Sequence, residues 1–544
     1  MALRKVGHLS LKFARHSSCA HTRSFQSRRL STHSLAPPQS IYSLSHNLTS
    51  HCTSNSVRRY TSYKMESFLC NQAFINGKFQ SVSETFPVLN PFTDKKLGDV
   101  ANCTASDAVQ AIEVAAEAFK TWKKTTPKER ATVLRKWSEL MIKNKQALAE
   151  LITAENGKPV AESIGEINYA AYFFEWCAEE AKRTYGKTIP TPFPNKRLMS
   201  IKQPIGVTGM ITPWNFPSAM ITRKAGAAIA AGCTVVLKPS EDTPYSALAL
   251  AKLSLEAGLP PGVLNILPCS RENTPAVGQV ICESPKVAAI SFTGSTATGK
   301  ILLKQSANTV KKVLLELGGL APFIVFESAD VENAVKHAMA CKFRYMGQTC
   351  VCANRIFVQE SVHDEFVSKF VAAMKKELKM GDPMVNGNTF GPLINEKAVL
   401  KVEDQLADAV KLGAKIEVGG KRGQAGKSSF EPTLLTNVTS EMKCFNFETF
   451  GPIASIRKFK TEEEVLALAN DTRSGLAGYF FSNDVSQCFR VAEEIEVGMI
   501  GINEGIFSTA EAPFGGVKES GLGREGSSDG LDEFMEIKYM CWAV

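Results

Sequence analysis

From Ile205 to Asn308 the chain repeats one unit, and that unit constrains the architecture more than any other feature. Ile205–Thr212, Thr234–Lys238, Val263–Leu267 and Ala288–Phe292 are short apolar runs of strand length. Between and after them, Ala219–Ala231, Tyr245–Ala257, Ala276–Glu283 and Gly299–Asn308 have the length and composition of helices. Strands joined by helices run parallel, because a crossover returns the chain to the same end of the sheet whereas a tight turn reverses it. The spacing therefore predicts an α/β fold built on a parallel, doubly wound sheet. A second alternating region follows, with strands near Phe323–Phe326, Ile356–Gln359 and Gly498–Ile502. Its helices lie near Val331–Cys341, His363–Lys379 and Glu396–Leu412, and Gly318-Gly319 breaks the pattern between the two regions. Ahead of both, Ser106–Trp122 reads as an amphipathic helix capped by Thr104 or Ser106. A second helix is expected over 127–156, stopped by Gly157 with Pro159 beyond. Residues 188–197 carry three prolines and no helical period, so 188–204 reads as an excursion from the core.

Two α/β regions need a long chain, and 544 residues exceed what one compact core accommodates. The formal charge of +9 invites a nucleic-acid partner, but its distribution argues otherwise. Residues 1–64 hold ten Lys or Arg and no acid, leaving 53 basic against 54 acidic residues in the rest. A near-neutral body gives no steering field for a polyanion. The basic, Ser-rich, acid-free start has the composition of an organelle transit peptide. A mitochondrial presequence over 1–65 is the reading adopted, with chloroplast import or a plain basic tail as alternatives. No apolar run is long enough to span a bilayer; the longest candidate, Ala225–Leu237, reads as a buried helix feeding a strand. Fourteen Cys show neither metal-ligand rhythm nor a secreted-domain framework, so no metal is expected. Six of the eight His fall in the first 64 residues, which leaves little for a Ser–His–Asp site.

Several residues can carry chemistry. Cys350 follows Gly347-Gln348-Thr349; alone, a Cys in such a turn is more often structural than nucleophilic. Glu316 lies in the apolar run Leu315-Glu316-Leu317, where burial would raise its pKa and suit it to general-base work; the alternative is an exposed strand edge. Asn215, between Trp214 and Phe216-Pro217, offers an amide N–H to a developing oxyanion, or simply forms a turn. Lys238-Pro239-Ser240-Glu241 follows a strand, at the end of a parallel sheet where dinucleotides bind. Gly294-Ser295-Thr296-Ala297-Thr298-Gly299 is a strand–turn–helix entry whose helix N-terminus can face a pyrophosphate. It is not the G-x-G-x-x-G pattern, so by itself it is a weak signal.

These pieces resemble the aldehyde dehydrogenase superfamily from about residue 70 to the C-terminus. The resemblance rests on Pro213-Trp214-Asn215, Lys238-Pro239-Ser240-Glu241, Gly294-Ser295-Thr296, Glu316-Leu317-Gly318-Gly319, Gly347-Gln348-Thr349-Cys350, Glu448-Thr449-Phe450-Gly451-Pro452 and Pro513-Phe514-Gly515-Gly516, in that order. It implies a Rossmann-like NAD-binding domain over 66–316, a catalytic domain over 317–510 and a returning segment over 511–544. It further implies a small oligomerisation extension at 188–204 and a homodimer or homotetramer. Cys350 is then the nucleophile, with the Asn215 amide and the Cys350 N–H holding the oxyanion and Glu316 activating water. Lys238 and Glu241 bind the adenine ribose, while Glu448, with Phe450 in the same motif, serves the nicotinamide ribose. A carboxylate at Glu241 favours NAD over NADP, because it repels a 2′-phosphate.

Ser218–Lys224, Glu316–Phe323 and Cys350-Val351-Cys352 look like the branch of the family that oxidises succinate semialdehyde. That likeness implies a role in 4-aminobutyrate degradation in the mitochondrial matrix. It also implies that Arg223, Arg344 and Ser508 bind the substrate's distal carboxylate; a guanidinium forks onto a carboxylate and stays charged when buried. It implies a Cys350–Cys352 disulfide that silences the enzyme, where the alternative is a packed small side chain. Tyr345-Met346 departs from the usual Asn followed by a small residue, and its bulk is expected to move Arg344 or narrow the pocket. The rival readings are a dehydrogenase for another aldehyde, a thiol acyltransferase or hydrolase, and a catalytically silent protein on the same scaffold.

Overall fold

The computed structural model describes residues 64–544; the targeting segment, save its last two positions, lies outside the described residues. Two edge strands, Ala73–Ile75 (β1) and Lys78–Gln80 (β2), precede four helices. Ala105–Trp122 (α1) is capped by Thr104, whose N–H donates to Asp107 Oδ2 at 2.7 Å. The single helix expected over 127–156 is two, Pro127–Lys143 (α2) and Lys145–Asn156 (α3). The break is at Asn144 (φ −105°, ψ 13°), whose side chain donates to Leu140 O at 2.9 Å. Asn competes with the backbone for such bonds and so interrupts helices. Gly157 closes α3 at φ 79°, a left-handed position that glycine takes without a Cβ penalty.

Val160–Glu180 (α4) is a long helix that the hydrophobic pattern does not announce. Phe173, Phe174 and Cys177 face the core, and Phe174 stacks on Trp137 of α2 with ring centroids 4.3 Å apart. Glu166 is also buried, and a carboxylate on the inner face blurs the apolar stripe by which a helix is read.

Lys187–Ile189 (β3) and Lys196–Pro204 (β4) form the excursion. The alternating region then supplies Val207–Ile211 (β5), Ala219–Ala231 (α5), Thr234–Lys238 (β6), Pro244–Ala257 (α6), Leu264–Ile266 (β7), Thr274–Glu283 (α7), Val287–Thr293 (β8), Thr296–Ser306 (α8) and Lys312–Glu316 (β9). The second region supplies Pro322–Val325 (β10), Val331–Phe343 (α9), Arg355–Gln359 (β11), Lys415–Val418 (β12), Thr433–Thr436 (β13), Ile453–Phe459 (β14), Ala477–Phe481 (β15) and Met499–Ile502 (β16). Gly521–Leu522 (β17) and Met535–Ala543 (β18) end the chain.

The first sheet has the order β2-β1-β7-β6-β5-β8-β9-β17 and is parallel from β7 to β9, with antiparallel strands at both edges. The second has the order β12-β13-β14-β11-β10-β15-β16, parallel except for β12. The chain passes from one sheet to the other between Glu316 and Pro322. In the first sheet Ile211 pairs with Lys238 and with Phe292, and Thr293 pairs with Glu316. The register therefore brings the carboxyl ends of four strands to one edge. The strand order reverses between β5 and β8, which opens a crevice at that edge. A third, small sheet β18-β4-β3 stands apart with Ile537, Tyr539 and Trp542 exposed.

Candidate active site

The loops that leave β5 and β8 at the reversal form one wall of a cavity of about 500 Å³. Asn215, Arg223, Gly294, Ser295, Arg344, Cys350, Glu448, Phe450 and Ser508 all line it. Residues far apart in sequence thus meet at the edge that the sheet register defines.

Asn215 sits in the loop after β5 and is buried. Its Nδ2 donates to Gln348 O at 3.1 Å, which leaves the second amide hydrogen free. Its backbone carbonyl accepts from Lys158 Nζ at 2.8 Å, and Lys158 is ion-paired to Glu166 of α4. Glu166 in turn accepts from the N–H groups of Ser218 (2.9 Å) and Ala219 (3.3 Å) at the start of α5. One buried pair therefore holds both the Asn215 loop and the helix that carries Arg223.

Cys350 follows a turn whose Gly347 has φ 75°; a Cβ there would stand 2.2 Å from Gly451 O. Burial and then the Glu448 charge push the Cys350 thiol up to about 12, with Arg223 pulling the other way. Glu316 closes β9 and is buried rather than on an exposed edge. Burial, reinforced by the Glu525 charge, raises it well above the ordinary carboxylate range, and its Oε2 finds no partner among the described residues. Glu525 itself is held low: burial opposes its charge, but Arg223 (Nε to Oε2, 2.6 Å) and Lys224 outweigh it. Arg223 is thus both ion-paired and on the cavity wall, and its Nη2 is buried without a hydrogen-bond partner. Arg344 lies on the same wall, 5.6 Å from the Phe216 ring centre.

Glu448 accepts from Gly319 N–H at 3.3 Å, and burial raises it to about 7 against the charges of Lys401 and Lys342. Phe450 meets Trp214 edge-on at 5.4 Å. Lys238 and Glu241 lie at the end of β6, outside this lining, 3.1 Å apart. Burial opposes the Glu241 charge, yet Lys238 holds the carboxyl below its ordinary range. Pro239 and Ser240 complete that turn, and Thr296, Ala297, Thr298 and Gly299 form the first turn of α8. Its cap is Ser295, whose Oγ accepts from Thr298 N–H at 3.3 Å.

The expectation that Tyr345-Met346 would crowd the pocket is corrected. Both side chains are buried away from the cavity: the Tyr345 hydroxyl donates to Asn156 O at 2.9 Å, and the Met346 sulfur lies 3.2 Å from Gly391 N. Cys352 is buried and donates to Lys342 O at 3.6 Å; both it and Cys350 are free thiols. Sequence reasoning missed Lys158, Glu162, Glu166 and Tyr169 on the cavity wall, together with Lys401 and Phe514. The signal was the four-residue spacing of Glu162 and Glu166 along one side of α4, with Lys158 four residues earlier, just ahead of the helix.

A thiol, an amide donor and a buried carboxyl at a dinucleotide-type crevice are the parts of an aldehyde-oxidising site. The chain belongs to the aldehyde dehydrogenase family, which it matches over residues 79–540. It is 59% identical over 474 residues to the mitochondrial succinate-semialdehyde dehydrogenase of Rattus norvegicus, covering 87% of this chain and 91% of that one. It is 54% identical over 472 residues to the NADP(+) succinate-semialdehyde dehydrogenase of Escherichia coli (strain K12), covering 86% and 97%. The crystal structure of succinate-semialdehyde dehydrogenase from Burkholderia pseudomallei superposes with a TM-score of 0.86 at 53% identity, covering 88% of this chain and 99% of that one.

Glu448 supplies a pH test. A carboxyl whose pKa is raised on folding, here to about 7, stabilises the fold below its ordinary range and loses that contribution as pH rises through 7. Thermal unfolding of Glu448→Gln and of the parent should therefore diverge between about pH 4.5 and 7, with the variant gaining relative stability as pH rises. A difference in melting temperature that stays constant across that range would contradict the assignment.

Proposed function

We propose that this enzyme oxidises succinate semialdehyde to succinate with NAD. The observation that carries the reading is the presence of Arg223, Arg344 and Ser508 on the wall of the cavity that also holds Cys350. Two guanidinium groups suit a substrate with a carboxylate at one end and an aldehyde at the other. The similarity to succinate-semialdehyde dehydrogenases supports the same substrate.

Cys350 gives up its thiol proton to solvent as Sγ adds to the aldehyde carbon, and the resulting oxyanion lies between the free Asn215 amide hydrogen and the Cys350 N–H. A bound nicotinamide supplies the acceptor for the hydride of that adduct. The acyl group then remains on Cys350 as a thioester. Glu316 takes a proton from water as the water attacks the thioester carbon, and succinate leaves as the Cys350 thiol is restored. The raised pKa of Glu316 makes its ionised form a stronger base, at the cost of a smaller ionised fraction at neutral pH.

The cofactor fits features of this chain. The crevice lies at the strand reversal, the N-terminus of α8 opens beside it, and Glu241 is ionised next to Lys238 at the end of β6. A carboxylate there accepts from a ribose 2′-hydroxyl and repels a 2′-phosphate, which favours NAD even though the Escherichia coli relative is named for NADP(+). The basic, acid-free N-terminal segment and the mitochondrial relatives support the mitochondrial matrix. The exposed apolar residues of the small sheet support its burial between subunits of a homodimer or homotetramer. We further propose that peroxide silences the enzyme by converting Cys350 to a sulfenic acid. Cys352 then displaces water to close a disulfide.

The first test is NADH formation with succinate semialdehyde beside butanal, repeated with NADP. Succinate semialdehyde and NAD should give the highest kcat/KM, and a preference for butanal would overturn the substrate. Replacing Arg344 by Gln should cost about 1.5–3 kcal/mol, roughly 10- to 150-fold in KM for succinate semialdehyde, with little change for butanal. Glu316→Gln should retain a burst of about one NADH per site while slowing the steady state at least about 100-fold, since only thioester hydrolysis loses its base; absence of a burst would place Glu316 earlier in the reaction. Inactivation by excess peroxide should be reversed by dithiothreitol in the parent, whereas in Cys352→Ala the unprotected sulfenic acid should go on to a dithiothreitol-resistant sulfinic acid; identical behaviour of the two would remove the disulfide.

A further inference from the structure

Arg344 precedes a turn that its own sequence disfavours. Tyr345 (φ 46°, ψ 48°) and Met346 (φ 50°, ψ 30°) are consecutive left-handed residues with full side chains. Such backbone persists only where the surroundings fix it. Here the surroundings are identifiable. Tyr345 N–H donates to Glu162 Oε2 at 2.8 Å, and the Tyr345 hydroxyl donates to Asn156 O at 2.9 Å. The ring is buried edge-on to Trp214 (6.2 Å) and Phe216 (6.3 Å), with Lys158 Nζ 4.5 Å from its centre.

Glu162 lines the active-site cavity, in the first turn of α4. A carboxylate on the wall of a cavity that takes an anionic substrate costs affinity through repulsion unless it does something else. Its bond to Tyr345 N–H ties α4 to the residue next to Arg344, which gives the carboxylate a second role. Arg344 itself enters no ion pair among the described residues and packs near Phe216. Its guanidinium is therefore aimed by its backbone, with the Glu162 charge acting on it through space and not through a contact ion pair.

We propose that Glu162 is a positioning residue for Arg344. Together with the anchored Tyr345 ring and hydroxyl, it fixes the turn so that the guanidinium faces the substrate's carboxylate. This rests on the reading of Arg344 as a carboxylate-binding group. It also assigns a purpose to Tyr345, whose bulk serves the turn from behind the cavity.

The test measures KM and kcat for succinate semialdehyde and for butanal in the parent enzyme, Glu162→Ala, Glu162→Gln, Tyr345→Phe and Arg344→Gln. Glu162→Ala should raise KM for succinate semialdehyde about tenfold while both constants for butanal stay within about twofold. Glu162→Gln keeps an oxygen that accepts from Tyr345 N–H and should recover most of that loss. Tyr345→Phe removes only the bond to Asn156 O and should give a smaller selective rise, about threefold; it carries the test if Glu162→Ala fails to fold. Equal losses on both aldehydes, no loss in Glu162→Ala, or no recovery in Glu162→Gln would overturn the proposal. A selective loss in Arg344→Gln without one in Glu162→Ala defeats this inference alone. An unselective Arg344→Gln defeats the underlying reading of Arg344.

Discussion

Glu525 is ionised inside the protein because two cations meet it there. It arrives from the C-terminal segment, Arg223 and Lys224 come from α5, and Glu316 ends β9. A buried carboxylate without partners would be costly, and removing one member of such a pair typically costs about 3–5 kcal/mol. The cluster therefore ties the last part of the chain to α5, beside the pairing of β17 with β9. It also sets the chemistry. The two cations hold the Glu525 carboxyl low, burial and the Glu525 charge raise that of Glu316, and Arg223 Nη2 stays buried without a hydrogen-bond partner among the described residues.

The same burial bears on Cys350. A thiol pushed up to about 12 is neutral at physiological pH. Glu448 and Glu162, each raised to about 7 by burial, are the groups on the cavity wall nearest to changing charge at neutral pH. Burial has two effects here: it builds the hydrophobic floor of the cavity and raises the cost of ionising anything on its wall.

Much of the site was legible in the sequence because its motifs are local. Asn215, Lys238, Gly294 and Glu316 each stand at or just past the end of a strand that its apolar composition reveals, so their common edge follows from a parallel sheet. Helix α4 was not legible. Its inner face carries Glu166, and the partner that makes this tolerable, Lys158, lies outside the helix. The Asn144 break was missed because a single Asn inside a helical pattern gives no decisive signal until its side chain is seen bonding the preceding turn. Bulk at Tyr345-Met346 read as an obstruction because sequence gives volume without direction.

The sequence by itself determined the α/β alternation, the nucleophile turn and the amide and carboxyl motifs, since each is a property of a short window whose periodicity and residue types act locally. Only the tertiary structure decided which charges those residues carry and which way they point. The shifts at Glu316, Glu525 and Cys350 follow from desolvation and from charged neighbours far away along the chain. The direction of Tyr345 follows from a left-handed backbone held by Glu162 and Asn156. Solvation and long-range electrostatics act through space, and no window of sequence contains them.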